Sequence, residues 1–339
     1  MPELTPPHHG GDLQRAIAEF GGTPDDWIDC STGIAPIGFP LPAVPASVWQ
    51  RLPEPDPALL DAAAQYYGSP QLLAVPGSQA AIERLPTLRR PGRVGVLAAS
   101  YAEHAWQWRR HGHAVVELAA EDIDAAIDRL QVLVLVNPNN PTGQRWPADR
   151  LLGWHARLAA RGGWLVVDEA FADCEPAHSL LPHVERPGLI VLRSLGKFFG
   201  LAGVRLGFVA AEAAMRDSLQ QALGPWAVSG PAQWAGRLAL ADTAWQAAQR
   251  ERLADDSRWL AATLPHAGLT VAAALPLLHW VPTPRAAVWQ RALAQQQVWC
   301  RRFDRPSALR FGPLPASRRD EFTRRLDAAL GAIAMALPK

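Results

Sequence analysis

The stretch Ser194-Leu195-Gly196-Lys197-Phe198-Phe199-Gly200 places one lysine among glycines and aromatics, with Arg205 eight positions on. A lysine held against apolar surface loses hydration, which favours its neutral, nucleophilic amine. Three other short segments carry residue types that could work beside it. Val132–Val136 runs into Asn137-Pro138-Asn139-Asn140-Pro141-Thr142-Gly143. Trp164–Val167 runs into Asp168-Glu169-Ala170-Phe171, and Leu72–Val75 into Pro76-Gly77-Ser78-Gln79. Together they supply an amine, a carboxylate, an amide, a guanidinium and a glycine-serine helix start, which offers backbone N–H groups to an anion. That set suits an aromatic cofactor bearing a carbonyl, a basic ring nitrogen and a phosphate, and pyridoxal 5'-phosphate fits the description.

These segments need a scaffold that brings them together. From residue 72 onward, short β-rich runs alternate with helix-length stretches such as Ala80–Leu88, Glu103–His111 and Asp149–Ala160. Such alternation predicts an α/β domain on a mainly parallel sheet, whose sites collect at the carboxyl ends of strands. All the candidate segments follow an apolar run, as that architecture requires. Residues 1–57 read as a proline-rich arm with one short helix, Asp12 to Phe20. Residues 58–230 read as the large domain, and 231–339 as a smaller α+β domain. The small domain should hold strands Leu269–Ala273, Leu278–Val281 and Ala308–Phe311, with helices Ala286–Gln296 and Ser317–Ala336.

Bulk properties narrow the function classes. At 339 residues and 49% hydrophobic, the chain can bury a large core, and a net charge of +1 argues against a nucleic-acid partner. Cys30, Cys174 and Cys300 are far apart and make neither a disulfide framework nor a metal-type pair. Met1 to Asp12 lacks the basic and apolar stretches of a secretory leader, and no run is long enough to span a membrane. A cytoplasmic protein with no membrane partner and no metal is the expectation.

The order and spacing of Asn-Pro-Asn-Asn-Pro-Thr-Gly, Asp-Glu-Ala-Phe and Ser-Leu-Gly-Lys with its following arginine resemble the fold-type-I pyridoxal-phosphate enzymes of the aspartate-aminotransferase superfamily. The resemblance spans roughly residues 8 to 335. It is nearest the branch that holds histidinol-phosphate aminotransferases and the threonine-phosphate decarboxylases of cobalamin synthesis. His9-Gly10-Gly11-Asp12, Asp29-Cys30-Ser31-Thr32-Gly33-Ile34-Ala35-Pro36 and Phe171, in place of a common tyrosine, pull toward the decarboxylases.

The resemblance implies roles for individual residues. Lys197 carries the cofactor, Asp168 pairs with its ring nitrogen and Tyr101 stacks on its ring. Asn140 reaches its phenolic oxygen and borders the substrate. Gly77, Ser78, Gln79, Ser194 and Arg205 form the phosphate cup. Arg310 clamps the substrate carboxylate, and His9, Gly10 and Gly11 meet the substrate phosphate, with Arg301 and Arg302 as further anion candidates. Gly196, Ala35 and Leu52 depart from the family pattern, which often has a hydroxyl residue, asparagine and tyrosine there. The implied activity is decarboxylation of L-threonine O-3-phosphate to aminopropanol phosphate in a homodimer, with an aminotransferase as the alternative.

Overall fold

The computed structural model describes residues 6–7 and 10–335. Among them the strands, in chain order, are β1 (Ile28–Cys30), β2 (Leu72–Val75), β3 (Arg93–Leu97), β4 (Ala114–Leu118), β5 (Val132–Val136), β6 (Trp164–Asp168), β7 (Leu189–Ser194), β8 (Gly207–Ala210), β9 (Ala273–Leu275), β10 (Leu278–Pro282), β11 (Val298–Asp304) and β12 (Ser307–Phe311). No helix among the described residues is long and apolar enough to cross a membrane.

The chain divides into two compact units, cut differently from the arm, large and small domains read from the sequence. The first holds residues 6–7, 38–140 and 144–246, and the second 10–37, 141–143 and 247–335. The arm is therefore shared out, because β1 is a strand of the second unit's sheet. The later division falls inside the helix Thr243–Thr263 rather than near Pro231.

In the first unit, seven strands run in the order β2-β8-β7-β6-β5-β3-β4. All neighbours are parallel except at β8, which is antiparallel to both β2 and β7. The near-continuous apolar sequence of β5 has every residue buried, as a central strand covered on both faces must. The helix Pro57–Tyr67 starts where Asp56 accepts from Ala58 N–H at 3.0 Å, and stops at Gly68 in the left-handed region. After β2, the helix Ser78–Arg84 gives way to a 3₁₀ turn, Leu85–Leu88, because Pro86 has no N–H to continue the ladder.

In the second unit, five strands run in the order β1-β11-β12-β10-β9. β1 and β11 are parallel, and the other pairs antiparallel. One face is packed by Val298, Cys300, Leu309 and Phe311 against Phe322 and Leu326 of the helix Arg319–Met335. Along β11 and β12, alternate side chains go to the opposite face, which places Arg301 and Arg310 together there. The expected strand Leu269–Ala273 is displaced. The strand forms at Ala273–Leu275, paired with β10, after the 3₁₀ turn Leu264–Ala267 ends at Gly268.

Candidate active site

In the first unit the chemistry-bearing segments meet at one end of the sheet. Asp168 is the last residue of β6 and is 3% exposed. One carboxylate oxygen accepts the Ala170 N–H at 3.0 Å, and the other lies 3.0 Å from His104 Nε2, itself buried. The carboxylate is thus fixed by two partners before any ligand arrives. His104 was not among the residues singled out from sequence. It sits three positions after Tyr101 on the helix Ala102–Arg110, and its ring meets the Tyr101 ring edge-on at 6.0 Å.

Tyr101 donates its hydroxyl to Gln79 Oε1 at 3.2 Å. Burial and the nearby carboxylates of Glu103 and Asp168 hold that hydroxyl protonated well above the usual tyrosine range. Gln79 in turn donates to Glu103 at 2.8 Å, so its side chain is spent on holding Tyr101 and Glu103 rather than facing an anion.

The asparagines separate by their bonding. Asn137 is stapled to Trp146 at both ends of its amide, at 3.2 and 3.0 Å. Asn139 accepts from Ser100 Oγ and donates to the Ala99 carbonyl, both at 2.8 Å. Those two side chains build the loop that carries Asn140.

Lys197 lies three residues past β7, half-buried, with Nζ 5.8 Å from the centre of the Phe171 ring. Its loop is braced by the Gly200 N–H on the Lys197 carbonyl at 3.2 Å and by Phe39 N–H on the Phe199 carbonyl at 2.8 Å. Trp245 stacks on Phe199 beneath it, with rings 5.7 Å apart. Lys197 is one of only two lysines in the chain, the other being Lys339.

A phosphate group has a cradle here. Gly77, at φ +75°, turns β2 into the helix Ser78–Arg84, and a Cβ at Gly77 would stand 2.6 Å from Arg205 Nη2. A Cβ at Gly207 would stand 2.7 Å from Ser78 N. Bare backbone is therefore required on both sides of the helix start, with the exposed Arg205 guanidinium lying across it. Ser194 closes the same end of β7, its hydroxyl accepting the Gly196 N–H at 3.2 Å. The first-turn amides of a helix have no partners inside the helix, and the donors, the cation and the fixed carboxylate fit pyridoxal phosphate.

In the second unit Arg310 is 6% exposed and donates Nη2 to the Ser31 carbonyl at 2.6 Å. Burial pulls its pKa down to about 10, the Arg301 charge adds to the fall, and Asp29 opposes it. Arg301 is its direct cross-strand neighbour, and both guanidiniums approach the Phe303 ring, at 5.5 and 6.0 Å. Arg302 points the other way and pairs with Asp304 at 3.0 Å, so it does not join them. Gly10 passes close over the Ser31 carbonyl, and a Cβ there would stand 3.3 Å from Arg310 Nη2. Gly11 N–H donates to Ser31 Oγ at 2.9 Å. Gly10 thus lies close to Arg310, with Gly11 tied to Ser31 beside it, while His9 falls outside the described residues. Ser31, which anchors both, carried no role in the sequence reading, although it lies in the arm segment that resembles the decarboxylases.

Comparison with known proteins gives the same direction. The family model for aminotransferase class I and II matches residues 46–328. A threonine-phosphate decarboxylase from Pseudomonas aeruginosa is 49% identical, over 95% of this chain and 96% of its own. One from Sinorhizobium sp is 44% identical, over 95% of this chain and 97% of its own. The solved histidinol-phosphate aminotransferase of Sinorhizobium meliloti, in complex with pyridoxal-5'-phosphate, superimposes with a TM-score of 0.75 at 21% identity. That match covers 85% of this chain and 84% of the other.

Proposed function

This chain belongs to the aminotransferase class I and II family, and from that footing we propose that it is a pyridoxal-phosphate enzyme that decarboxylates L-threonine O-3-phosphate to aminopropanol phosphate. The observation that carries the choice of substrate is the Arg301–Arg310 rung. Two desolvated guanidiniums side by side suit a small molecule with two anionic groups, a carboxylate and a phosphate. Histidinol phosphate has no carboxylate and offers this pair only one anionic group. The names of the two relatives that align over 95% of the chain support the same choice.

In this reading the cofactor is held by the first unit's residues. Gly77, Ser78, Ser194 and Arg205 take its phosphate, Asn140 its phenolic oxygen, and Tyr101 the face of its ring. Asp168, fixed by His104 and the Ala170 N–H, would pair with its ring nitrogen and keep that nitrogen protonated. Lys197 Nζ would hold its aldehyde carbon. Bound there, pyridoxal phosphate supplies an electron sink for the pair left on the substrate Cα when a bond to that carbon breaks. Arg310 orients the carboxylate, and Arg301 with the Gly10–Gly11 backbone receives the phosphate. Anchoring both ends fixes rotation about the Cα–N bond, so the bond to the carboxylate is the one aligned for cleavage. CO₂ leaves with the C–C bond broken, and Lys197 Nζ returns a proton to Cα.

A homodimer is part of the proposal. Trp49, Leu52 and Trp226 of the first unit are 66%, 65% and 56% exposed, the kind of apolar surface an interface covers. Sedimentation at several concentrations tests this point.

The activity is tested by incubating the cofactor-loaded protein with threonine phosphate labelled in its carboxyl carbon, with and without 2-oxoglutarate. The expected result is labelled CO₂ and aminopropanol phosphate in equal amounts, independent of 2-oxoglutarate. Keto-acid formation that requires 2-oxoglutarate, without CO₂, would make the protein an aminotransferase.

A further inference from the structure

Behind the candidate site, on the other side of β6 and β7, lies a buried charge cluster that the proposed reaction does not use. Arg193 is 1% exposed and donates Nη1 to Glu169 at 2.8 Å and Nη2 to Asp173. Glu169 is 1% exposed and Asp173 fully buried. Glu169 also accepts from Ser179 Oγ and, at 2.8 Å, from the Leu180 N–H. Tyr67 lies under the guanidinium at 4.8 Å, and Tyr66 donates to Asp173 at 3.1 Å.

Burial works against the Arg193 charge, but Asp173 and Glu169 outweigh it, so the guanidinium stays ionised. Burial likewise raises the pKa of Glu169 against the pull of Arg193. Such a cluster is a poor way to gain stability. Replacing buried ion pairs with well-packed apolar side chains is often neutral or stabilising. Its location suggests what it does instead.

Glu169 follows Asp168 directly, and Arg193 precedes Ser194 directly. Successive residues of an extended chain face opposite sides, so Glu169 and Arg193 are each the reverse face of a residue assigned to the cofactor. The pairing of Asp168 with Leu192, and the Glu169 N–H bond to the Leu192 carbonyl at 2.9 Å, hold the same two strand ends through backbone. Tyr66 extends the cluster to the Lys197 loop, its ring 5.5 Å from that of Phe199. The cluster therefore grips the end of β6, the end of β7 and the loop that carries the lysine.

We propose that Arg193, Glu169 and Asp173, with Tyr66, form a positioning device that sets Asp168 against Lys197 at the cofactor. Fork geometry matters in it, because one guanidinium must span two carboxylates from different segments. The inference rests on the functional reading above.

The test uses the cofactor-loaded protein and its Glu169→Gln, Tyr66→Phe, Arg193→Met and Arg193→Lys variants. Borohydride reduction and peptide mapping first establish that Lys197 is the labelled residue in the unsubstituted protein. A label elsewhere removes the functional reading and this inference with it. With Lys197 labelled, the visible band of the bound cofactor is titrated with pH, and kcat and KM are measured separately.

The expected result for Glu169→Gln is a titration midpoint moved by about half a pH unit or more. Its kcat should fall about tenfold, with KM within about twofold. Tyr66→Phe should move both in the same direction by less, and Arg193→Lys should be milder than Arg193→Met. Glu169→Gln and Tyr66→Phe keep the side-chain shapes, so they decide the question even if Arg193→Met does not fold. If both retain the unsubstituted midpoint and a kcat within about twofold, the cluster is structural only and the inference is wrong.

Discussion

The two units handle charge in opposite ways. In the first, the deeply buried carboxylate of the candidate site and the guanidinium behind it have partners already in place: Asp168 has His104 and the Ala170 N–H, and Arg193 has Glu169 and Asp173. In the second, Arg310 is buried with Arg301 as its cross-strand neighbour, and the Arg301 charge adds to the burial that lowers the Arg310 pKa. A compensated site holds its shape before its ligand arrives, which suits a resident cofactor. Two neighbouring guanidiniums favour the approach of further anionic groups, which suits a substrate that must be told from uncharged amino acids. In the proposed reading, the first unit holds the cofactor and the second selects the substrate.

The comparison can be broken at either end. The largest effect should come from Lys197→Ala. It should abolish the borohydride label and lower turnover at least about 10⁴-fold, because both the cofactor bond and the proton donor go. The near absence of other lysines makes the label unambiguous. Next is Asp168→Asn, which keeps shape but weakens a charge-assisted hydrogen bond worth roughly 1.5–3 kcal/mol. A loss in kcat of about ten- to a hundredfold is expected, and activity within about twofold of the unsubstituted protein would remove the role given to Asp168. Gly10→Ala comes third. Its Cβ would collide with the Ser31 carbonyl and crowd Arg310, so kcat/KM should fall about tenfold while the bound cofactor's spectrum stays the same. A changed spectrum with normal substrate kinetics would reverse the division of labour between the units.

The smallest expected effect is on stability alone. His279 is fully buried against Ser257 and the Phe311 backbone, and burial lowers its pKa to about 4. Its folded pKa lies below the unfolded value of about 6.5, so its contribution is intact above the unfolded pKa. That contribution is lost as pH falls from there toward 4, by up to roughly 3 kcal/mol. Urea melts between pH 7 and 4 should show a decline that His279→Gln reduces. An equal decline in both proteins would mean that other groups govern acid sensitivity.

Much of the first unit was legible because its site is written locally. Asp168 ends an apolar strand, Lys197 and Asn140 lie three and four residues past one, and strand ends in a parallel sheet converge. His104 was missed because its partnership with Asp168 joins a helix to a distant strand, and nothing in Glu103-His104-Ala105 marks it. The second unit was harder for a different reason. Arg301 and Arg302 are adjacent and chemically identical, and only the period-two alternation of β11 separates them. That strand is preceded by Gln297 at a positive φ and ends in Arg301-Arg302-Phe303-Asp304, so its polar half did not read as a strand. The share of the arm in the second unit depends on the parallel pairing of β1 with β11, a contact across some 270 residues that no local pattern announces.

The assignment of one arginine to each anion is tested most directly by ligand binding to the cofactor-loaded protein. Spectral titrations with threonine phosphate, with threonine and with aminopropanol phosphate would be made for the unsubstituted protein, Arg301→Ala and Arg310→Ala. Arg310→Ala should weaken the two carboxylate-bearing ligands by about ten- to a hundredfold and leave aminopropanol phosphate nearly unchanged. Arg301→Ala should weaken the two phosphate-bearing ligands and spare threonine. Equal losses for all three ligands in both variants would contradict the assignment of one arginine to each anion.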